Sequence, residues 1–321
     1  MAVYTHIDAP ALARLAEDYG LDAIITCKGI AEGVQNSNFL VATGTTRYIL
    51  TLYEEAVAPE DLPFFLGLMR HLADAGLTCP TPVARPDGSL LTELAGRPAA
   101  LMHFLDGVSI TAPTPAHCHA VGVALAELHH AARDFPQSRR NALGVGDWPS
   151  LYARCRTDSD AAPPDMAQAI EDALAHLGAH WPEGLPSGII HADFFPDNVF
   201  FLDDKLSGVI DFYFACNDFL AYDLAIALNA WGFDAHAQFD TANAAALFAG
   251  YRSGRDLAPE EIAALPVLAA GAALRFLLTR LHDRIHHLDG ALVVPKDPMD
   301  YLHRLQFHRR VESAAAYGLE A

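Results

Sequence analysis

The residues best equipped for chemistry lie in one string, His191-Ala192-Asp193-Phe194-Phe195-Pro196-Asp197-Asn198. A loop of this length, leaving one strand and entering the next, can turn Asp193 and Asn198 toward the same space. The carboxylate of Asp193 can orient a hydroxyl and accept its proton. The amide oxygen of Asn198 can ligate a hard divalent cation, which prefers oxygen donors. Farther along, Ile210-Asp211-Phe212 supplies a second carboxylate. An Asn/Asp pair suits Mg²⁺ beside phosphate oxygens, and the reaction that calls for this set is phosphoryl transfer, in which positioning and charge neutralisation do most of the work. Singly, each residue could be a cap or turn residue. Together, with apolar strands on both sides, they favour the catalytic reading. His191 reads as support for the loop backbone.

These residues need strands to carry them. Gly188-Ile189-Ile190-His191, Asn198–Leu202 and Leu206–Asp211 read as short strands, with Asp203-Asp204-Lys205 turning a hairpin that brings Asp211 back beside Asn198. Around this β-rich stretch the chain after Asp106-Gly107, a candidate hinge, is mainly helical. Helices are expected over 116–132, 167–178, 220–231, 241–253, 259–288 and 298–315, and 133–164 is expected to be irregular. The first hundred residues read differently. A helix over 10–19 precedes short β-rich runs at 24–26, 39–41 and 48–53, separated by Gly-bearing turns. Leu62, Phe65, Leu66, Met69 and Leu72 then mark one helix face over 60–75, with Gly76 as its stop. Two more strands are expected at 82–84 and 99–105, with Asp87-Gly88 as a turn. The domain division is 1–105 and 106–321, and the class is α+β.

The first part should bind nucleotide. Lys28-Gly29-Ile30-Ala31-Glu32-Gly33-Val34-Gln35-Asn36-Ser37-Asn38 lies between two expected strands. Gly29 and Gly33 would let backbone N–H groups approach phosphates, and Asn36 and Ser37 would add side-chain donors. By itself this string, which lacks G-x-G-x-x-G, reads better as a plain hairpin turn; it is the downstream motif that favours the phosphate-binding reading.

The spacing His191–Asn198 is H-x-D-x-x-x-x-N, the catalytic-loop pattern of kinases. With Ile210-Asp211-Phe212 it resembles the aminoglycoside phosphotransferase and choline kinase superfamily. Over nearly its whole length the chain resembles the homoserine kinases of that group, in KGIAEGVQNSNFL (28–40), YILTLYE (48–54), DLPFFLGLM (61–69), DFYFACNDFLAYDLAIALNAW (211–231) and LRFLLTRL (274–281). The resemblance implies a two-lobed, protein-kinase-like fold with a small antiparallel-sheet N-lobe and a helical C-lobe. It implies ATP and Mg²⁺ as cofactors and transfer of the γ-phosphoryl group to the side-chain hydroxyl of L-homoserine, on the route to threonine. Carried over, Asp193 is the catalytic aspartate, Asn198 and Asp211 are the Mg²⁺ ligands, and the backbone around Met102, His103 and Phe104 meets the adenine. Asp223 matches the second aspartate of D-x-x-x-x-D-x-A, at Asp218–Ala225, and would brace the catalytic loop. One departure stands out. Many members carry Lys or Arg on the third strand, where this chain has Thr51; Lys28 is a candidate substitute, and Glu55, Glu60 or Asp61 a candidate helix acid.

An amino-acid acceptor needs partners for an ammonium and a carboxylate. Asp218 and Tyr222 are candidates for the first. Arg275, Arg280 and Arg284 are candidates for the second, at least two of them reading as solvated helix surface. Other acceptors, such as choline or an aminoglycoside, and a nucleotide-binding pseudokinase are the competing readings.

Composition narrows the partners. The net charge of −19 and the lack of a basic stripe disfavour nucleic acid and an anionic membrane surface. Arg304, Arg309 and Arg310 read as a solvated helix face. Five scattered cysteines without a C-x-x-C pair argue against a disulfide framework or zinc ribbon. No signal pattern opens the chain and no spanning run of apolar residues is expected, so a cytoplasmic setting fits. His282 and His286, with His287, are four apart on a helix but lack the adjoining Glu of a zincin and read as surface residues. His129-His130 reads as a pair at a helix C-terminus, and Trp148, Trp181 and Trp231 read as core or interface anchors.

Overall fold

The alternating apolar runs of the first hundred residues pair into one antiparallel sheet. The structure, a computed structural model, describes all residues except 1–4, 6, 31–35, 55–56, 157–162, 287–294 and 320–321. The chain forms two units: the described residues up to Asp106 with Gly208–Tyr213, and the described residues of Gly107–Ser207 and from Phe214 onward.

In the first unit, α1 (Ala9–Tyr19) precedes β1 (Thr26–Gly29), β2 (Ser37–Ala42) and β3 (Arg47–Leu52). Then come α2 (Leu62–Asp74), β4 (Thr92–Leu94) and β5 (Arg97–His103). The sheet order is β1-β2-β3-β5-β4. Asp8 caps α1 by accepting from the Ala11 N–H at 2.8 Å, and Gly20 ends it at φ +62°. Leu15 of α1 packs on Val41, Leu50, Leu52 and Leu101 of the sheet, all fully buried. Gly76 follows α2 at φ +95°, as its position after the apolar stripe predicts.

Two strands differ from expectation. The first begins at Thr26, because its partner β2 ends at Ala42, opposite Thr26; Ile25 lies beyond the ladder, 70% exposed. Residues 82–84 form only an isolated bridge, Pro82 to Met102. Proline has no N–H to extend a ladder.

The second unit holds β6 (Val108–Ser109), α3 (Pro115–Ala131), α4 (Trp148–Cys155), α5 (Pro164–His180), β7 (Ser187–Ile190), β8 (Val199–Leu202) and β10 (Cys216–Phe219), with α6 (Leu220–Trp231), α7 (Thr241–Gly254), α8 (Pro259–Ile285) and α9 (Met299–His308). Strand β9 (Lys205–Val209) begins in this unit and ends in the first. Asp203 and Asp204, at φ +49° and +60°, make the two-residue turn between β8 and β9.

Helix α4 lies inside a segment expected to be irregular. Pro149 sits in its first turn, where a missing N–H costs nothing, and Trp148, Leu151, Tyr152 and Cys155 bury one face. Helix α6 is buried all round from Ala221 to Trp231. Helix α8 corrects the membrane expectation in its literal form. It is long and apolar enough to span a bilayer, yet 72% of its most apolar window is buried among its neighbours, as in a core helix.

The expected helix 298–315 stops at His308 and resumes as a single 3-10 turn over Ala314–Tyr317. The break lets Tyr317 return to the His308 ring, Nδ1 to Oη 2.8 Å. In a continuous helix the two residues would stand about 13 Å apart along the axis. On its other side His308 Nε2 faces Asn229 Oδ1 at 3.2 Å. Arg304 is no solvated face: it donates to the Asn229 carbonyl and lies 4.6 Å from the Tyr301 ring centre.

Burial pulls the His308 pKa down to about 3, with the nearby Arg304 charge adding to the effect. The unfolded chain takes up this proton near pH 6.5. The stability linked to neutral His308 is therefore complete above about pH 6.5 and is lost as pH falls from there toward 3. We expect the thermal midpoint to fall over this window, and His308→Gln to flatten the slope; parallel curves for the two proteins would contradict this.

Candidate active site

The loop after β7 is built on a strained residue. Ala192 has φ +63°, a left-handed conformation that costs a non-glycine residue on the order of 1 kcal/mol. Three bonds hold it there. The His191 and Ala192 N–H groups donate to the two oxygens of Asp223, at 2.7 and 2.8 Å. The Ala192 carbonyl accepts from Arg275 Nη1. Asp223 lies on α6, fully buried, and also faces His129 Nε2 at 3.1 Å. Burial opposes its ionisation, but the hydrogen bonds from His129 and the His191 backbone outweigh that and hold the carboxyl below its usual range.

The left-handed turn presents Asp193. Its N–H donates to His191 Nδ1 at 3.2 Å, and its carbonyl accepts from the Phe195 N–H at 2.8 Å. Trp231 Nε1 donates to the Phe194 carbonyl at 2.7 Å, so α6 grips the loop twice. Asn198, at the end of a 3-10 turn, donates through Nδ2 to the Asp193 carbonyl and carboxylate, at 2.9 and 2.8 Å. Both partners are acceptors, which fixes the amide orientation: the NH₂ faces Asp193 and leaves Oδ1 for another ligand. Burial pushes the Asp193 carboxyl above its usual range, while Arg275, His191, Asn198 and Lys296 pull it back.

Other candidates gather nearby. Asp218, on β10, accepts from Asn141 Nδ2 at 2.6 Å and from the Phe219 N–H at 2.7 Å. Burial raises its pKa; Asn141 and Phe219 oppose the rise. Tyr222 Oη and Arg275 Nε are both buried without a hydrogen-bond partner. The charge of Arg275 acts on Asp193, Asp218 and Tyr222 alike. The charge of Arg275 thus reaches both the loop carboxylate and the two acceptor candidates. Arg280 and Arg284 do not join them. Arg280, largely buried, pairs with Asp300 at 3.1 Å, whereas Arg284, 59% exposed, faces Asp297 at 3.5 Å as a solvated helix residue.

The candidates of the first unit fare unevenly. Lys28 and Gly29 are exposed on the edge strand β1, and Gly33 lies outside the described residues. Asn36 Oδ1 is buried without a partner. Ser37 is a correction: its hydroxyl is fully buried and donates to Glu54 Oε1 at 2.7 Å, so it is spent within the unit. Glu54 also pairs with Arg97 at 3.2 Å. Thr51 Oγ1 donates to Asn38 Oδ1 at 2.9 Å. Of the candidate helix acids, Glu55 lies outside the described residues, Glu60 is exposed, and Asp61 sits in the 3-10 turn that opens α2. Met102 is buried in β5. The His103 N–H donates to the Thr81 carbonyl and the Phe104 N–H to that of Arg47, so neither amide is spare for a base edge. Asp211 follows β9 at φ +65°, the left-handed region again.

Among the described residues no three His, Cys, Asp or Glu side chains converge on a metal-sized site. The His282 and His286 rings stack at 4.1 Å; His287 lies outside the described residues. His129 does more than end α3: its buried ring meets Tyr251 on one side and Asp223 on the other. Its signal was spacing: Cys118, Gly122, Leu125 and His129 lie on one stripe of α3, all buried. Asn141 had no comparable signal, because its partner comes from β10.

Residues 26–257 match the model of the phosphotransferase enzyme family. The chain belongs to that family. Over its full length it is 54% identical to a homoserine kinase of Parvibaculum lavamentivorans and to one of Azorhizobium caulinodans, each aligned over 100% of both chains. An amicoumacin kinase, solved with AMP-PNP and Ca²⁺, superimposes with a TM-score of 0.72 over 96% of this chain and 95% of its own, at 14% identity. The fold is therefore the α+β, aminoglycoside-phosphotransferase-like kinase fold, and the chain is an ATP-dependent small-molecule kinase.

The position of Asp193 among its charges gives a test. Lys296 is the outermost of the groups that lower its pKa, and it also pairs with Asp197. Lys296→Met removes one stabilising charge, so the Asp193 carboxyl should titrate at higher pH, as read from its carboxyl ¹³C shift. A shift to lower pH would contradict the electrostatic picture.

Proposed function

We propose that this chain is a homoserine kinase, transferring the γ-phosphoryl group of ATP to the side-chain hydroxyl of L-homoserine to give O-phospho-L-homoserine. The observation that carries this reading is end-to-end identity of 54% with two homoserine kinases, on a chain whose H-x-D-x-x-x-x-N loop is intact.

In this reading Asp193 accepts the hydroxyl proton as the acceptor oxygen forms its bond to the γ-phosphorus. The bond to the β-phosphate oxygen breaks and ADP leaves. The Asn198 amide holds the Asp193 carboxylate through its NH₂ and keeps Oδ1 for the metal. Asp211 would be the second oxygen donor. Mg²⁺, when bound, neutralises charge on the phosphate oxygens. Such hard oxygen ligands fit Mg²⁺ better than a soft metal. Lys28, Gly29, Gly33 and Asn36 are the phosphate-facing candidates. The strand end at Met102–Phe104 would meet adenine through carbonyl groups, since its amides are engaged. His191 and Asp223 support the loop.

The acceptor's two charges have matching partners. Asp218 suits the α-ammonium. Tyr222 Oη, buried without a partner, can join it there as an acceptor, and Arg275 Nε, a buried donor lacking an acceptor, suits the α-carboxylate. Arg275 would then serve two ends, loop carbonyl and substrate. The five unpaired thiols and the net charge of −19 favour a cytoplasmic enzyme acting on a small molecule, with neither nucleic acid nor membrane as partner.

An ADP-release assay over homoserine, serine, choline and an aminoglycoside tests the acceptor, and Asp193→Ala tests the base. Homoserine should be turned over fastest. Asp193→Ala should lower kcat by roughly 10²–10⁴-fold while nucleotide affinity stays near wild type. Choline or serine matching homoserine would end the acceptor assignment, and full activity in Asp193→Ala would end the role of Asp193.

A further inference from the structure

Helices α3 and α7 cross with almost nothing between their backbones. A Cβ on Gly122 would lie 2.1 Å from the Leu247 carbonyl oxygen, and one on Gly250 would lie 2.0 Å from that of His119. Only glycine permits this approach. It brings His129, two turns beyond Gly122, against Tyr251, the residue after Gly250. Their Nδ1 and Oη atoms stand 2.8 Å apart and their rings meet edge to face.

The contact is the middle of a longer chain. Arg255 Nη1 donates to Tyr251 Oη at 3.3 Å, and Arg255 Nη2 grips both oxygens of Glu261, at 2.9 and 3.0 Å. Glu261 is fully buried and also accepts the Ala258 N–H at 3.0 Å, at the start of α8. At the other end, His129 Nε2 meets Asp223 Oδ2. The series therefore runs from the first turn of α8 to the carboxylate that holds the catalytic loop.

The hydrogens in this series can be assigned from donor chemistry. Arginine only donates, so Tyr251 Oη accepts from Arg255. Ionised Asp223 only accepts, so His129 Nε2 carries a hydrogen. Tyr251 is fully buried, and burial pushes its phenol upward, so it keeps its proton. Among the described residues that O–H has one acceptor in reach, His129 Nδ1. Each bond thus donates toward Asp223: Arg255 to Tyr251, Tyr251 to His129, His129 to Asp223.

We propose that Tyr251, backed by Arg255, is a positioning residue for phosphoryl transfer: it fixes the His129 ring with Nδ1 accepting and Nε2 donating, and so keeps Asp223 aimed at the His191 and Ala192 N–H groups. The proposal rests on the reading of Asp193 as the base. Without the Tyr251 hydroxyl, Nδ1 has no donor, and the ring can flip or take the other tautomer. Asp223 then loses its side-chain donor, and the strained turn at Ala192 loosens.

The test uses full-length protein labelled with ¹⁵N-histidine, with steady-state kinetics on the same samples. Wild type should show His129 as the Nε2–H tautomer. Tyr251→Phe should show a mixed or changed tautomer, with kcat lowered by roughly three- to tenfold, the size of one lost neutral hydrogen bond, and KM for both substrates nearly unchanged. Arg255→Leu, which leaves the tyrosine in place, should show a smaller loss of kcat and supplies the readout if Tyr251→Phe does not fold. An Nδ1–H tautomer in wild type would overturn the proposal. So would a variant with wild-type kcat and an unchanged spectrum, even if its melting temperature fell. Asp193→Asn separates the two claims: it should abolish transfer and leave the His129 spectrum as in wild type. If it kept wild-type kcat, the base assignment would fail while the tautomer result stood.

Discussion

A buried carboxylate that accepts two consecutive backbone N–H groups sets the geometry of the catalytic loop. Asp223 takes the amides of His191 and Ala192 on its two oxygens, so Ala192 cannot relax from its left-handed conformation. An isolated buried carboxylate would be far too costly to keep charged. Here every oxygen is met by a donor, which turns a liability into a rigid fixture. The direction in which Asp193 leaves the loop follows from that one turn.

The second unit can be understood as the housing for this interaction. Helix α6, buried all round, carries Asp223 to the loop and Trp231 to the Phe194 carbonyl. Helix α3 delivers His129 from one side. Helix α8 delivers Arg275 to the Ala192 carbonyl from another. The glycines at the α3–α7 crossing, and Gly271 of α8 under Trp181 and Trp148, admit approaches that any side chain would block. Charge is balanced in the same compass. Arg275 offsets part of the desolvation of Asp193 and Asp218, and among the described residues no ion pair joins it to either.

Much of this was legible in the sequence, for identifiable reasons. The string His191–Asn198 and the hairpin at Asp203-Asp204 are local, so spacing and turn chemistry suffice to find them. Amphipathic helices such as α1 and α2 announce themselves by period. The misses are non-local. Helix α4 hid in a polar, Pro-rich segment because its apolar stripe spans only two turns. Strand β10 is four residues long and exists through its pairing with β7. His129 looked like a helix-end residue because its partner lies 94 positions away. Ser37 looked like a phosphate donor because nothing local shows that Glu54 claims its hydroxyl. The run of α9 was overextended because the return of Tyr317 to His308 is a tertiary requirement, absent from helical periodicity.

Exchange of Asp223 for asparagine puts the central interaction to the most direct test. The amide keeps the shape but can accept fewer of the loop's N–H groups, and it has no charge to strengthen them. Single-turnover phosphoryl transfer should slow by about ten- to a hundredfold, corresponding to the ~1.5–3 kcal/mol of a charge-assisted hydrogen bond, with nucleotide affinity close to wild type and the protein folded. Transfer at the wild-type rate in a folded Asp223→Asn protein would contradict the account, because the loop would then be held in place by something else.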